Sequence, residues 1–226
     1  MNGEKQSSFR INVVPSRISN DHEVHFFADE TNLIDFFGDA NLGLDPWDVL
    51  TNTCQLRAQS TSHHALIGLC GCGCLGCGDL EVQIQRDGDY VIWTSWDKSQ
   101  QVSFSAPQYD AEIERALLDH SWETPIRTAE RLIASTIDHS ALAKQGFKFD
   151  WASGRCAEGM MTVSLMLHPG PYQVLVKLPW NGNDITEIVS VFCDLLGQPP
   201  NTWPTVDYYP QKRDLPPPAF ITSNSE

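Results

Sequence analysis

No uninterrupted apolar run in this chain approaches the roughly 20 residues that a membrane-spanning helix needs. The opening Met1-Asn2-Gly3-Glu4-Lys5-Gln6-Ser7-Ser8 is polar where a secretory signal would be apolar. Both absences predict a soluble cytosolic protein without a membrane partner. Basic residues are scarce: 15 Lys and Arg stand against 29 Asp and Glu, a formal net charge of −14. Between Ile18 and Leu56 there are eight acidic residues and no Lys or Arg. Phosphate binding depends on Lys and Arg releasing counterions, so a direct nucleic-acid partner is excluded and a basic protein partner is expected. Solubility alone also accounts for such a charge.

Motifs of common chemistry are missing as well. There is no Gly-rich phosphate loop, no G-x-S-x-G elbow and no dinucleotide fingerprint. His22-Glu23-Val24-His25 lacks the two residues between Glu and the second His that would put both histidines on one helical face, and it reads as an exposed strand pair. No period of 20 to 50 residues marks a repeat protein. None of this names a reaction.

What is abundant is cysteine in one place. Of seven cysteines, Cys54, Cys156 and Cys193 are scattered singly, a pattern of reduced thiols and not of a disulfide framework. The other four form Cys70-Gly71-Cys72-Gly73-Cys74-Leu75-Gly76-Cys77. Structural zinc takes four Cys or His ligands, and two cysteines two to four residues apart commonly supply half of them. Cys74 and Cys77 have that spacing, Cys70 and Cys72 can share one side of a strand end, and the interleaved glycines let the backbone turn sharply. A structural zinc on Cys70, Cys72, Cys74 and Cys77 is therefore expected. Eight residues close tightly around one ion, so three of the thiols with His63 or His64 from the entering strand form an alternative set. A buried Gly/Cys turn that lets backbones pack closely and a redox dithiol stay open beside the metal reading.

Read as C-x-C-G-x-x-G-C ahead of an alternating hairpin ending in Val91-Ile92-Trp93, the cluster resembles a loose group of uncharacterised bacterial cytosolic proteins. The resemblance covers about Ala65 to Trp96, with a weaker echo at Val176-Lys177-Leu178-Pro179-Trp180. It implies that Cys70, Cys72 and Cys77 matter most and that Cys74 is the variable position. It brings no activity with it.

Apolar periodicity predicts the elements. Phe9–Pro15 and Glu23–Phe27 alternate as strands, and Leu33, Ile34, Phe36 and Phe37 suit a short helix ending at Gly38. Residues 39–53 read as an acidic connection. Ala65–Leu69 is a buried strand, and Leu80–Gln85 with Tyr90–Trp96 form a hairpin around Asp87-Gly88. Tyr109–His120 is a helix, a second runs from Thr124-Pro125 to Gly146, and Phe147–Trp151, Met161–Leu167 and Tyr172–Leu178 are strands. Asp184 and Glu187 open a last helix as in a capping box. Trp93, Trp96, Trp122, Trp151, Trp180 and Trp203 fall mostly on or beside apolar periodic segments and read first as core residues, with partner binding open to those at element ends. This order predicts an α+β fold of mainly antiparallel β-hairpins with three to four helices. One domain over residues 1–204 is expected, with lobes at 1–106 and 107–204, followed by a Pro-rich extended tail over 205–226.

The functional expectation is a non-enzymatic acidic binding protein, of the bacterial immunity or inhibitor kind, that neutralises a basic toxin or nuclease. Its partner-binding residues would be Asp29, Glu30, Asp35, Asp39, Asp45 and Asp48. The alternatives are a zinc- or thiol-dependent enzyme using the cysteine cluster and a structural subunit of a larger complex.

Overall fold

The computed structural model describes residues 6–19, 21–38, 42–51, 53–168, 170, 172–212, 215, 216 and 218. The chain divides into two compact units, Met1–Trp122 and Glu123–Glu226. The division falls after Trp122, so the helix expected to begin a second lobe at 107 belongs to the first. Three antiparallel sheets and six α-helices among the described residues make the fold α+β.

In the first unit, β1 (Phe9–Pro15), β2 (His22–Ala28) and the two-residue β3 (Thr31–Asn32) form one sheet. The short helices α1 (Leu33–Phe37) and α2 (Pro46–Val49) follow. The acidic connection therefore contains a helical turn, started by Asp45, whose Oδ1 accepts from Trp47 N at 2.9 Å. The second sheet has the order β4-β5-β6-β7, with β4 His63–Leu69, β5 Asp79–Asp87, β6 Tyr90–Ser95 and β7 Gln101–Ser105. The expected hairpin is present: Asp87 pairs with Tyr90, and Gly88, at φ +56°, makes the turn. Alternation puts Val82 and Ile84 in the core.

Helix α3 (Ala106–Leu118) closes this unit and shows why the sequence folds as it does. Residues 108, 112 and 115 share one helical face. Gln108 Oε1 accepts from Phe9 N (2.9 Å), Glu112 Oε1 accepts from Ile11 N (2.7 Å), and Arg115 donates to Ile11 O (2.7 Å). The open edge of β1 is thus satisfied by side chains, which also blunts it against pairing with another chain. Beneath lies an aromatic core of Phe9, Phe26, Trp93, Phe104 and Tyr109, all essentially without solvent exposure. Trp93 Nε1 donates to Tyr109 Oη (3.1 Å), which donates to Leu56 O (2.6 Å), so the buried polar atoms are paired.

In the second unit the expected long helix is two, α4 (Pro125–Thr136) and α5 (His139–Lys144). Ile133 and Ile137 keep the apolar period across the break, but Asp138 accepts from Ser140 N and Ala141 N, both at 2.9 Å, and starts a new helix. The sheet has the order β11-β10-β9-β8, with β8 Phe147–Ser153, β9 Met160–Leu167, β10 Tyr172–Pro179 and β11 Val206–Pro210. Strand β11 lies inside the stretch expected as a tail. Val206 and Asp207 pair with Val176 and Leu175, and Lys177 forms an ion pair with Asp207. Helix α6 (Ile185–Leu196) starts as its capping pair indicates, Asp184 accepting from Glu187 N at 2.9 Å. Arg127 and Glu130 are buried in this unit (2% and 0% exposed). Glu130 Oε1 accepts from Gly154 N (2.9 Å), and its Oε2 is 3.7 Å from Arg127. Burial raises the Glu130 carboxyl above the usual range, against the opposing pull of the Gly154 N–H, Arg155 and Arg127.

Candidate functional site

The ladder between β4 and β5 ends with Leu69 opposite Asp79, and Cys70 N then donates to Gly78 O at 2.9 Å. The intervening residues make two successive turns, Gly73 N to Cys70 O (2.9 Å) and Cys77 N to Cys74 O (3.3 Å). Gly73 and Gly76 sit at φ +71° and +78°, the left-handed region that a side chain disfavours. Gly78 has a different reason. A Cβ there would lie 2.9 Å from Cys70 Cβ, so only glycine lets the two strands meet behind the thiol. Asp79 Oδ1 ties the loop down by accepting from Gly76 N at 2.8 Å.

These turns bring the sulfurs of Cys70, Cys72 and Cys77 within 4.8 Å of one another, and the three could hold a metal ion. With Zn–S near 2.3 Å, two sulfurs on one tetrahedral zinc stand about 3.8 Å apart, inside that compass. Cys70 is half-buried and Cys72 and Cys77 are exposed. Cys74 falls outside the mutual cluster, its sulfur 3.7 Å from Cys72 O. The thiols are unequal. Hydrogen bonds from the Cys70 thiol, the Cys74 backbone and the Cys77 thiol lower Cys72 to about 7. Donating towards Cys72 and Cys70 raises Cys77 to about 11, and Cys74 is raised by its bond to Cys72. Cys72 is the position at which negative charge collects first.

The histidines do not join them. His63 is seven residues from Cys70, roughly 23 Å along a strand, and its Nε2 bonds Gln55 O at 2.7 Å. His64 Nδ1 is 3.5 Å from Glu81 Oε2, and its ring meets Trp96 at 4.9 Å between centroids. The pair His22 and His25 is also placed differently from expectation. Glu23 between them is 3% exposed and lies 2.9 Å from His25 Nε2, so this stretch is a packed polar cluster.

The acidic candidates separate into two kinds. Asp29, at φ +54°, is the turn residue between β2 and β3, its Oδ1 accepting from Ser8 N at 2.8 Å. Asp45 caps α2. Asp35 and Asp48 are exposed in the first turns of α1 and α2. Glu30 is 91% exposed with Arg10 at 3.6 Å. Asp39 lies outside the described residues. Of the described candidates, Glu30, Asp35 and Asp48 are the exposed ones.

A feature that sequence reasoning missed stands next to the cysteine loop. A cleft of about 540 Å³ is lined by Phe37, Asp79, Leu80, Glu81, Ser95, Trp96, Asp97, Ser99 and Gln100. Trp96, expected first as a core residue, is 72% exposed. The signal was the alternation itself: Val91, Trp93 and Ser95 take the inward positions of β6, so the next residue faces outward, and Asp97, bonding the backbone two residues on, holds it in a tight turn there. Compared with models of protein families, with curated proteins and with solved structures, the chain matches none.

Proposed function

We propose that this chain is a non-enzymatic acidic binding protein of the cytoplasm, of the bacterial immunity or inhibitor kind, which covers and neutralises a basic toxin or nuclease. The observation that carries the reading is the stretch from Ile18 to Leu56, which holds eight acidic residues and no Lys or Arg and exposes Glu30, Asp35 and Asp48. Like charges gathered on one stretch raise the encounter rate with an oppositely charged partner and align it on approach. In the same reading the cysteine loop holds one structural zinc through Cys70, Cys72 and Cys77, with Cys74 the nearest further thiol. A structural site is closed by four protein ligands, so in this reading Cys74 swings in to supply the fourth. A reducing cytoplasm keeps these thiols available.

The test is capture of a partner by the full chain from lysate of its own cells, repeated with Glu30→Lys, Asp35→Lys and Asp48→Lys combined. A basic protein held by the native chain and lost by the variant is expected. Capture that is indifferent to the reversal and to added salt would refute the acidic reading.

A further inference from the structure

The cleft beside the cysteine loop has a floor and a rim of different chemistry. Phe37, Leu80 and Trp96 give it apolar surface, and Asp79, Glu81 and Asp97 give it three carboxylates. Tryptophan carries one of the largest apolar side chains and is usually mostly buried; here it is 72% exposed. Its position is nonetheless built. The Trp96 ring lies against His64, and the turn that carries it is fastened by Asp97 Oδ1, which accepts from Ser95 Oγ (2.6 Å), Ser99 N (3.0 Å) and Ser99 Oγ (2.7 Å). The same three donors hold the Asp97 carboxyl down at about 2.

Each carboxylate spends one oxygen locally. Asp97 uses Oδ1 in the turn, Asp79 Oδ1 accepts from Gly76 N, and Glu81 Oε2 lies near His64 Nδ1. Among the described residues, no protein group bonds the other oxygen of any of the three. An aromatic face beside several half-used carboxylates is complementary to a cation on an apolar stem, and not to an anion or a neutral polar group. Of the two basic side chains, a planar guanidinium both stacks on indole and offers paired donors to carboxylates, which an ammonium cannot do.

We infer that this cleft is the receptor for an arginine side chain of the basic partner, with the arginine stem on Phe37 and Leu80, its guanidinium on Trp96, and its donors shared by Asp79, Glu81 and Asp97. The inference rests on the acidic-binding reading and moves the point of specific contact from the run before Leu56 to the rim of the second sheet. Glu30, Asp35 and Asp48 then steer the encounter and the cleft anchors it, a division in which one desolvated aromatic contact outweighs several exposed charges.

A short oligo-arginine peptide is the probe, titrated into the full chain by calorimetry at low salt, beside the same peptide with citrulline, a neutral isostere, and beside oligo-lysine. Trp96→Ala should weaken arginine-peptide binding about threefold to tenfold, the range of a partly desolvated cation–π contact. Trp96→Phe should restore part of it, and citrulline should bind far more weakly. Glu81→Gln with Asp97→Asn should weaken binding further, and lysine should bind less tightly than arginine. Trp96 is exposed, so its replacement leaves the core intact, and circular dichroism checks this. Binding unchanged by Trp96→Ala but lost on neutralising Glu30, Asp35 and Asp48 would overturn the cleft and leave the acidic-binding reading standing. Equal binding of citrulline and arginine would overturn the cleft as an arginine receptor. Binding indifferent to every variant and to salt would overturn both.

Discussion

Two clefts of about 540 Å³, one in each unit, differ in chemistry and not in size. That of the first unit carries Asp79, Glu81 and Asp97 around Trp96. That of the second is lined by Gly159, Leu178, Pro179, Trp180, Asn181, Glu187, Ile188 and Val191, with Glu187 the single ionisable group among the described lining residues. The contrast extends inward. The first unit buries its aromatic rings together with Asp21 and Glu23 but keeps Asp79, Glu81 and Asp97 at the rim of its cleft, whereas the second buries an Arg127–Glu130 pair on α4. Volume therefore says little about recognition here, and the placement of charge says more. The second cleft carries one carboxylate among its described lining, and the first carries three.

The largest expected effect breaks the structural side of that contrast. Glu130→Ala removes the carboxylate that lies 3.7 Å from the buried Arg127 and leaves the Gly154 N–H without its acceptor. A loss of about 3–5 kcal/mol in urea-unfolding free energy is expected. Glu130 also gives the pair a pH signature. Its folded pKa is raised above the ordinary carboxyl value of 4.5, so the folded state binds this proton more tightly than the unfolded state does. Its stabilising contribution is then full below the unfolded pKa and is lost as pH rises through the folded one. Native chain measured against Glu130→Gln should gain relative stability on acidification from neutral pH towards the unfolded value. A difference that is flat with pH would show that the carboxyl is not raised.

Next in size is the core of the first unit. Tyr109→Phe removes the acceptor of Trp93 Nε1 and the donor to Leu56 O, two buried groups whose loss of partner costs about 1–3 kcal/mol each. Urea unfolding followed by tryptophan fluorescence reads this directly.

The metal loop sharpens the comparison by a count. One equivalent of zinc per chain, measured by mass spectrometry of protein purified under reducing conditions, should be lost on replacing Cys70, Cys72 or Cys77 with serine. Cys74→Ser should lower affinity less than any of these. Equal loss at all four positions would put Cys74 on a par with the other three.

How much of this could be read from the chain depends on how local the cause is. The hairpin at Gly88 and the start of α6 at Asp184 are set by residues within a turn of each other, and both are present as the sequence indicates. The break between α4 and α5 was hidden because Ile133 and Ile137 continue the helical period while Asp138, a strong cap, competes with it. Strand β11 was hidden by its surroundings, since its prolines and polar residues suit an extended chain and only the open edge of β10 turns that into pairing. At the cysteine loop, spacing indicated four ligands, and the turns at Gly73 and Gly76 converge three. His63 and His64, which proximity in sequence offers as alternative ligands, begin β4, and its extended course carries them away from the loop.

The smallest expected effects define the recognition side. Trp180→Ala alters the wall of the second cleft and should leave oligo-arginine binding unchanged, because no carboxylate cluster accompanies that indole. Asp35→Asn and Asp48→Asn, at exposed helix positions, should each shift stability by no more than about 0.5 kcal/mol while slowing association with a basic partner.

The most direct measurement is the association rate constant of the full chain with its captured basic partner at low and at physiological salt, for the native protein and for the variant with Glu30, Asp35 and Asp48 neutralised. Steering by exposed charge reaches about 30 Å at 0.01 M salt and only about 8 Å at physiological ionic strength. The native rate should fall steeply as salt is added, and the variant should start lower and change little. A native rate that is the same at both salt concentrations would contradict recognition through the acidic surface of the first unit.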